Sequence, residues 1–231
     1  MDVMDFPTRY QVLKERISAV CSRCGRNPSD IRIVVVTKTH PVETVQALIE
    51  AGIRDIGENR VQEIEAKVPH LRGAFDMHLV GHLQTNKVNK AVPLVTWIQS
   101  IDSIRLADKV NAAAQACQKR IRTLVQVKTS AEETKSGCAP EECGELAGHV
   151  AACANLEFCG LMTIGPLSAP ETQTRASFAA LRTLAEGCRQ WRPRPELSMG
   201  MSSDFEWAIE EGATIIRVGT LLLGNRSAAQ R

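Results

Sequence analysis

Lys38 is a lysine at the end of a short β-branched run, Val34, Val35 and Val36, which is followed by a threonine. Two roles are open to an amine in that place. Its apolar stem can lie along the strand while the ammonium group reaches solvent. Alternatively, apolar surroundings and neighbouring cations can lower its pKa and make it a nucleophile toward an aldehyde. Lys38 alone does not decide between the two roles.

A second group of residues, near the end of the chain, has the types needed to bind a phosphate. Arg217 and Gly219 are two residues apart on a predicted strand and therefore point to the same face. Gly219 permits close backbone approach, so its N–H and that of Thr220 could hold a phosphate oxygen. The Ser202 hydroxyl precedes a helix predicted to start near Ser203 and can donate to the same anion, unless both serines only cap that helix. An anion site of this kind favours the nucleophilic role for Lys38.

Two residue pairs have spacings that occur in metal sites. Cys21 and Cys24 have the spacing of a zinc or redox pair, but no second pair with matching spacing follows. His78 and His82 are four residues apart, yet one is predicted on a strand and the other in a loop. We therefore expect no metal site and structural roles for the histidines.

Short apolar segments of strand type alternate with helical segments along the chain. The predicted strands span 31–36, 55–57, 77–80, 97–100, 123–128, 157–162, 196–199 and 214–218. The predicted helices span 7–24, 41–51, 59–68, 84–92, 103–117, 140–154, 171–190 and 203–211. Because such alternation implies parallel pairing and right-handed crossovers, the pattern predicts an α/β protein with a closed (β/α)8 TIM barrel.

The alternative fold is a doubly wound open sheet. Against it, the first strand is followed by Thr37-Lys-Thr-His-Pro41 rather than a GxGxxG turn, and no GxxxxGK[ST] motif occurs. We expect one domain over residues 1–231, with an N-terminal helix in residues 1–27 packing on the barrel. Barrels of this kind build their active sites at the C-terminal ends of the strands, where Lys38 and the Arg217 segment are predicted to lie.

The composition is that of an ordinary globular protein, with 44% hydrophobic and 23% charged residues. Acidic and basic residues are nearly balanced, with a formal net charge of +2, and are spread along the chain. No basic stripe therefore marks a surface for nucleic acid or a membrane, and a small molecule is the expected partner. The N-terminus is acidic where a signal peptide is basic, and no apolar run approaches the roughly 20 residues that span a bilayer. We expect a cytoplasmic protein whose eight cysteines are free thiols.

Several short motifs between residues 36 and 220 occur in an order that matches a known family. They are Val36-Thr-Lys-Thr39, Gly57-Glu-Asn59, His78-Leu-Val-Gly81, Leu83-Gln-Thr-Asn-Lys87, Lys135-Ser-Gly137, Gly160-Leu-Met162, Leu197-Ser-Met-Gly-Met-Ser-Ser-Asp204 and Arg217-Val-Gly-Thr220. In combination they resemble the YggS/PROSC type of pyridoxal phosphate homeostasis proteins, which share the fold of the N-terminal barrel of alanine racemase. One departure is His82, which follows Gly81 where some members carry proline; it receives no role.

The resemblance implies that pyridoxal 5′-phosphate (PLP) is the cofactor. The implied binding residues are Lys38, Asn59, Met162, Ser198, Ser202, Arg217, Gly219 and Thr220. By this resemblance Lys38 forms a Schiff base with PLP, and Ser202, Gly219 and Thr220 bind its phosphate. The resemblance also implies that Arg217 lies near the pyridine nitrogen, with a contact to the phosphate as the alternative, and that the remaining three residues line the pocket.

The resemblance also implies PLP homeostasis rather than catalysis, and a physical argument agrees. PLP is a strong electron sink only when its ring nitrogen takes positive charge, which a permanently protonated arginine does not promote. Alanine racemase takes a second base, a tyrosine, from its partner subunit, whereas the only tyrosine here is Tyr10 in the predicted N-terminal helix. We therefore expect a non-catalytic, monomeric carrier that releases PLP to apo-enzymes. The alternatives are a fold-type III racemase or decarboxylase of amino acids and an aldolase-like barrel that uses Lys38 on a phosphorylated sugar.

Overall fold

The computed structural model describes residues 6–130 and 136–224, so that Lys135 of the Lys135-Ser-Gly137 motif lies outside the described residues. The strands in these ranges are β1 Arg32–Val36, β2 Asp55–Glu58, β3 Asp76–Leu79, β4 Trp97–Ile101, β5 Ile121–Gln126, β6 Leu156–Met162, β7 Glu196–Ser198 and β8 Ile215–Val218. The α-helices are α1 Phe6–Arg23, α2 Val42–Glu50, α3 Val61–Lys67, α4 Val88–Ala91, α5 Ile104–Ala116, α6 Cys143–Ala152, α7 Glu171–Gly187, α8 Phe205–Glu210 and α9 Thr220–Leu223.

The eight strands form one closed barrel of parallel strands, each paired with its neighbours in the sequence. β1 also pairs with β8, with Val34 opposite Arg217 and Val35 opposite Val218. This pairing closes the sheet and rules out the open-sheet alternative. The predicted (β/α)8 barrel is therefore confirmed.

Alternation along the strands separates the barrel interior from the layer beneath the helices. On β1, Val34 and Val36 belong to the interior cluster, whereas Val35 belongs to the larger core between strands and helices. On β8, Ile215 lies in the same interior cluster. Because side chains two residues apart share a face, Arg217 is directed into the barrel together with Ile215. Its guanidinium is consequently buried.

Helix α1 lies outside the barrel and packs against α8 and α9. Leu13, Ile17 and Val20 follow one another at helical spacing and are buried against the barrel's outer layer. On its polar side, Arg16 lies 2.8 Å from the Glu206 carboxylate of α8. The sequence predicted this helix to within one residue at each end.

Two helices differ from the prediction. In the segment predicted as a helix over 84–92, only α4 is α-helical, and it is flanked by short 3-10 turns at 85–87 and 92–94. Pro93 has no backbone N–H with which to continue the α-helical bonding, so the α-helix ends at Ala91. Helix α9, directly after β8, was not predicted. Within the described ranges no helix combines the length and the apolar character needed to cross a bilayer.

Candidate functional site

A cavity of about 310 Å³ opens at the C-terminal ends of β1, β2 and β8. Its volume lies at the lower end of the range typical of small-molecule sites. The lining residues are Val36, Lys38, Asn59, Val80, Gly81, Ile164, Met201, Ser202, Ser203, Arg217, Gly219 and Thr220. Six of the eight residues predicted to bind the cofactor are in this lining, and Met162 and Ser198 are the two that are not. We call this opening the upper mouth of the barrel.

Met162 and Ser198 lie beneath the cavity rather than in its wall. Met162 is fully buried in the interior cluster together with Val36 and Val80, whose side chains reach the lining. Ser198 is also fully buried, and its hydroxyl contacts Arg217. Both residues thus support lining residues, and a direct contact between either of them and a cofactor stays a prediction.

Backbone N–H groups and one hydroxyl converge at the side of the cavity formed by the loops after β7 and β8. The Ser202 Oγ accepts from the N–H groups of Gly219 and Leu221, at 3.4 Å each. Such long bonds are weak. A Cβ atom on Gly219 would lie 3.0 Å from the Val36 carbonyl oxygen, so glycine is what lets the end of β8 approach the end of β1. Donors suited to an anion therefore stand close to the strand that carries Lys38.

Arg217 is held from two sides beneath these donors. Its Nη1 donates to the Ser198 Oγ at 2.6 Å, and its Nη2 donates to the Thr163 carbonyl at 2.8 Å. Burial lowers the pKa of Arg217 to about 10, and the nearby Asp204 carboxylate acts in the opposite direction. The guanidinium is thus positively charged at neutral pH and fixed in direction.

A chain of hydrogen bonds continues from Arg217 through the barrel interior. The Ser198 hydroxyl donates to Gln99 Oε1 at 2.6 Å. Gln99 Nε2 lies 3.0 Å from His78 Nδ1. Because Gln99 uses its oxygen as the acceptor for Ser198, its amide nitrogen must donate to His78, which fixes Nδ1 as the unprotonated ring nitrogen.

The chain ends at the opposite mouth of the barrel. His78 Nε2 donates to the Asp55 Oδ1 at 3.0 Å, and Arg32 donates to the same oxygen at 2.8 Å. Burial lowers the pKa of His78, which stacks on Trp97 with ring centroids 5.2 Å apart. Burial by itself would raise the pKa of Asp55, but the bonds from His78 and Arg32 lower it overall. The neutral histidine and the ionised aspartate complete a fully bonded path between the two mouths, which we call the interior chain.

A separate buried cluster holds the turn that carries Lys38. The Thr37 hydroxyl donates to Glu58 Oε1 at 2.6 Å. Lys67 Nζ donates to the same Glu58 oxygen at 2.6 Å, to the Thr37 carbonyl at 3.0 Å and to Glu63 at 2.9 Å. The residue before Lys38 is therefore bonded through both its hydroxyl and its carbonyl.

The residue after Lys38 is held by the same cluster. Thr39 has a φ of 65°, a left-handed conformation that is uncommon for a β-branched residue, and its N–H donates to Glu63 Oε2 at 2.6 Å. Burial raises the pKa of Glu58. For Glu63, the bond from Lys67 outweighs burial and lowers the pKa. Glu58, Glu63 and Lys67, which we call the turn cluster, thus fix the backbone on both sides of Lys38.

Sequence reasoning missed the turn cluster and the interior chain, although weak signals existed. Glu63 and Lys67 are four residues apart, a spacing that is equally typical of an exposed ion pair on a helix. Gln99 stands among apolar residues in a predicted strand, which marks it as a polar group in need of a partner. The two histidines four residues apart lie in different places, as the sequence predicted. His78 belongs to the interior chain, whereas the exposed His82 lies 3.2 Å from Asp102.

The closed (β/α)8 barrel with a lysine at its upper mouth is of the alanine racemase N-terminal type. A family model described as "Alanine racemase, N-terminal domain" matches residues 9–227. Relatives called pyridoxal phosphate homeostasis protein match almost the whole chain. The relative from Aquifex aeolicus is 40% identical over 221 residues, which cover 94% of this chain and 97% of the relative. The one from Homo sapiens is 37% identical over 238 residues, covering 96% and 86%. The chain therefore belongs to the pyridoxal phosphate homeostasis protein family, and the resemblance inferred from its motifs is confirmed.

Solved structures agree with this placement. PipY of Synechococcus elongatus PCC7942 with PLP bound has a TM-score of 0.80 and 37% identity, with 91% of this chain and 99% of that chain covered. A protein from Bifidobacterium adolescentis has a TM-score of 0.86 and 36% identity, with 96% and 95% covered. Alanine racemase of Clostridium difficile 630 reaches a TM-score of 0.78 at 13% identity, covering 98% of this chain but 58% of the racemase. The racemase shares the barrel fold, and about two fifths of its length lies beyond the match.

Proposed function

We propose that the protein binds PLP as a Schiff base on Lys38 and serves PLP homeostasis without catalysing a reaction. The observation that carries the proposal is the meeting of an amine, an anion-binding edge and a fixed guanidinium in one cavity of about 310 Å³. When bound, PLP supplies an aldehyde that condenses with an amine, with loss of water. The PLP-bound structure of the PipY relative, at 37% identity, supports the choice of cofactor.

The anion-binding edge suits the phosphate group. Gly219 and Leu221 now donate weakly to Ser202, so their N–H groups can turn to a phosphate oxygen at little cost. The Ser202 hydroxyl, released from accepting these bonds, can donate to the same phosphate. Because a Cβ on Gly219 would crowd the Val36 carbonyl, glycine keeps this edge open. Thr220, exposed at the start of α9, adds a hydroxyl and a further N–H.

Arg217 suits the ring nitrogen better than an acid would in a carrier. Its two bonds, to Ser198 and to Thr163, fix the guanidinium under the cavity. With a pKa of about 10 it keeps its protons at neutral pH and can only donate to a ring nitrogen. The pyridine ring therefore stays neutral, which favours binding over carbanion chemistry.

The position of Tyr10 argues against two-base racemization. Tyr10 lies on α1 and lines a cavity at the N-terminal ends of the strands, together with Lys14, Arg32 and Asp55. Lys38 stands at the C-terminal end of β1, at the other mouth of the barrel. The chain has no other tyrosine. Tyr10 therefore lies at the opposite mouth of the barrel from Lys38.

Absorbance and mass spectrometry test the proposal. Purified protein is incubated with PLP, reduced with borohydride and digested, and the modified peptide is mapped. We expect one adduct, at Lys38, and no imine chromophore in Lys38→Ala. Lys90→Ala, which removes an exposed lysine paired with Glu65, is the matched control and should bind as the wild type does. An adduct mainly at another lysine would refute the assignment.

Three further measurements test the absence of catalysis, the delivery of PLP and the monomeric state. Lysine-dependent exchange of the α-proton of amino acids with solvent deuterium, at enzymatic rates, would favour the racemase or decarboxylase alternative. We also propose that the protein delivers PLP to apo-enzymes and that it does so as a monomer. Delivery is tested by activation of an apo-enzyme by the loaded protein in the presence of a trap for free PLP. The monomeric state is tested by light scattering, which measures the mass of the loaded protein.

A further inference from the structure

Three side chains with metal-binding atoms meet on the outer surface of the barrel. Asp108 comes from α5, His149 comes from α6, and Cys153 directly follows α6. One ligand atom of each lies within 4.8 Å of the other two, and His149 Nε2 is 2.6 Å from Asp108 Oδ1. None of the three lines the upper mouth. Their helices adjoin β5 and β6, across the barrel from the β1 strand that precedes Lys38.

The local structure holds these residues together. His149 and Cys153 are four residues apart, so they lie on the same side of α6 and its end. Asn111, one turn after Asp108 on α5, accepts from the backbone N–H of Asn155 at 3.0 Å and from its side-chain amide at 3.3 Å. The segment that carries the thiol is thus tied to the helix that carries the carboxylate.

We propose that Asp108, His149 and Cys153 form a Zn²⁺ site with a fourth position open to water. A carboxylate oxygen, an imidazole nitrogen and a thiolate are the ligand types that zinc binds in proteins. With zinc bonds of about 2.0–2.3 Å, tetrahedral ligands lie roughly 3.3–3.8 Å apart, so rearrangement of about an ångström within the cluster suffices. The partial exposure of His149 and Asp108, at 34% and 59% of their side chains, leaves room for the water.

The protonation state of the thiol determines how binding depends on pH. Zinc binds the thiolate form of cysteine, so a protonated Cys153 must lose its proton on binding. Coordination replaces the S–H bond by an S–Zn bond and releases one proton to solvent, so affinity rises with pH. A metal site was not expected from the sequence, since spacing along the chain does not reveal that Asp108 adjoins α6.

Cobalt substitution tests the proposal, and its outcome is independent of the proposed function. Co²⁺ is titrated into the full-length protein under reducing conditions. We expect a thiolate-to-cobalt charge-transfer band with tetrahedral visible bands, lost on adding one equivalent of Zn²⁺. Cys153→Ser should abolish the charge-transfer band. His149→Gln and Asp108→Asn should each raise the Co²⁺ dissociation constant about tenfold or more, because a three-ligand site loses one ligand.

A matched variant controls for other thiols. Cys117→Ser removes an exposed cysteine that directly follows α5 and is outside the cluster, and it should leave the spectrum unchanged. Circular dichroism checks that each surface variant stays folded. The proposal is overturned if wild type gives no thiolate band, if the band survives in Cys153→Ser, or if Cys117→Ser removes it.

Discussion

The two mouths of the barrel differ in how they treat charge. The lower mouth, at the N-terminal ends of the strands, has the larger cavity, of about 460 Å³ against about 310 Å³. There Arg32 bonds the Asp55 carboxylate, so the two charges neutralise each other. At the upper mouth Arg217 bonds only a hydroxyl and a carbonyl through the two contacts described, and its positive charge stays available. The comparison teaches that the proposed binding end differs from the lower mouth in carrying an oriented cation without a directly bonded carboxylate, and not in having the larger cavity.

The largest effect is expected from Lys67→Met, which removes the cation of the turn cluster. It leaves the buried Glu58 and the partly buried Glu63 without their shared donor, so we expect the free energy of unfolding to fall by about 3 kcal/mol or more. Urea denaturation measures the loss. Lys90→Met, which breaks an exposed pair with Glu65, should cost less than about 1 kcal/mol. Equal losses in the two variants would contradict a special dependence of the upper mouth on buried charge.

The same substitution at both mouths tests the comparison directly. Arg217→Met should weaken PLP binding roughly 10- to 150-fold, since a hydrogen bond to a charged group contributes about 1.5–3 kcal/mol. Arg32→Met should change PLP affinity by less than about threefold, because its charge is already paired with Asp55 at the far mouth. Fluorescence titration with PLP gives both values, and thermal unfolding checks the fold. Similar losses of affinity would show that the interior chain, rather than the local charge, determines binding.

The smallest effect concerns pH and the link between the mouths. His78 has a pKa below its ordinary value of 6.5, so below about pH 6.5 the unfolded chain binds a proton that the folded protein does not. Stability from this group is complete above pH 6.5 and is lost as pH falls toward the folded pKa, by up to about 1.4 kcal/mol per pH unit. Urea denaturation from pH 7 to 5 should show this slope in wild type. In His78→Gln the proton uptake on unfolding near pH 5.5 should be smaller, by at most one proton; an unchanged uptake would refute the prediction.

The sequence predicted the barrel well because the signal is local and repeated. Short apolar runs such as Ile31–Val36 alternate with helices eight times along the chain. The predicted ends of the strands differ little from the observed ones: β5 is predicted at 123–128 and found at Ile121–Gln126. Lys38 and the Arg217 segment were expected to meet, because in parallel barrels the C-terminal strand ends share one mouth, and both line its cavity.

The remaining features depend on which way side chains turn, which spacing does not reveal. Ser198, whose contact with the cofactor stays a prediction, donates its hydroxyl to Gln99, a partner 99 residues earlier in the chain. The sequence context of Lys67 is typical of an exposed lysine on a helix, yet only 7% of its side chain is exposed. Both outcomes come from contacts between distant segments, and a single sequence does not disclose such contacts.

The interior chain has one direction throughout. Every donor, from Arg217 through Ser198, Gln99 and His78, points toward Asp55, so the bond dipoles are aligned between a cation and an anion. The chain cannot be reversed, because the guanidinium of Arg217 has only donors and the ionised Asp55 carboxylate only accepts. Under the proposed function, PLP would enter and leave the upper mouth across its outer rim, where Ser203 and Thr220 are exposed to solvent.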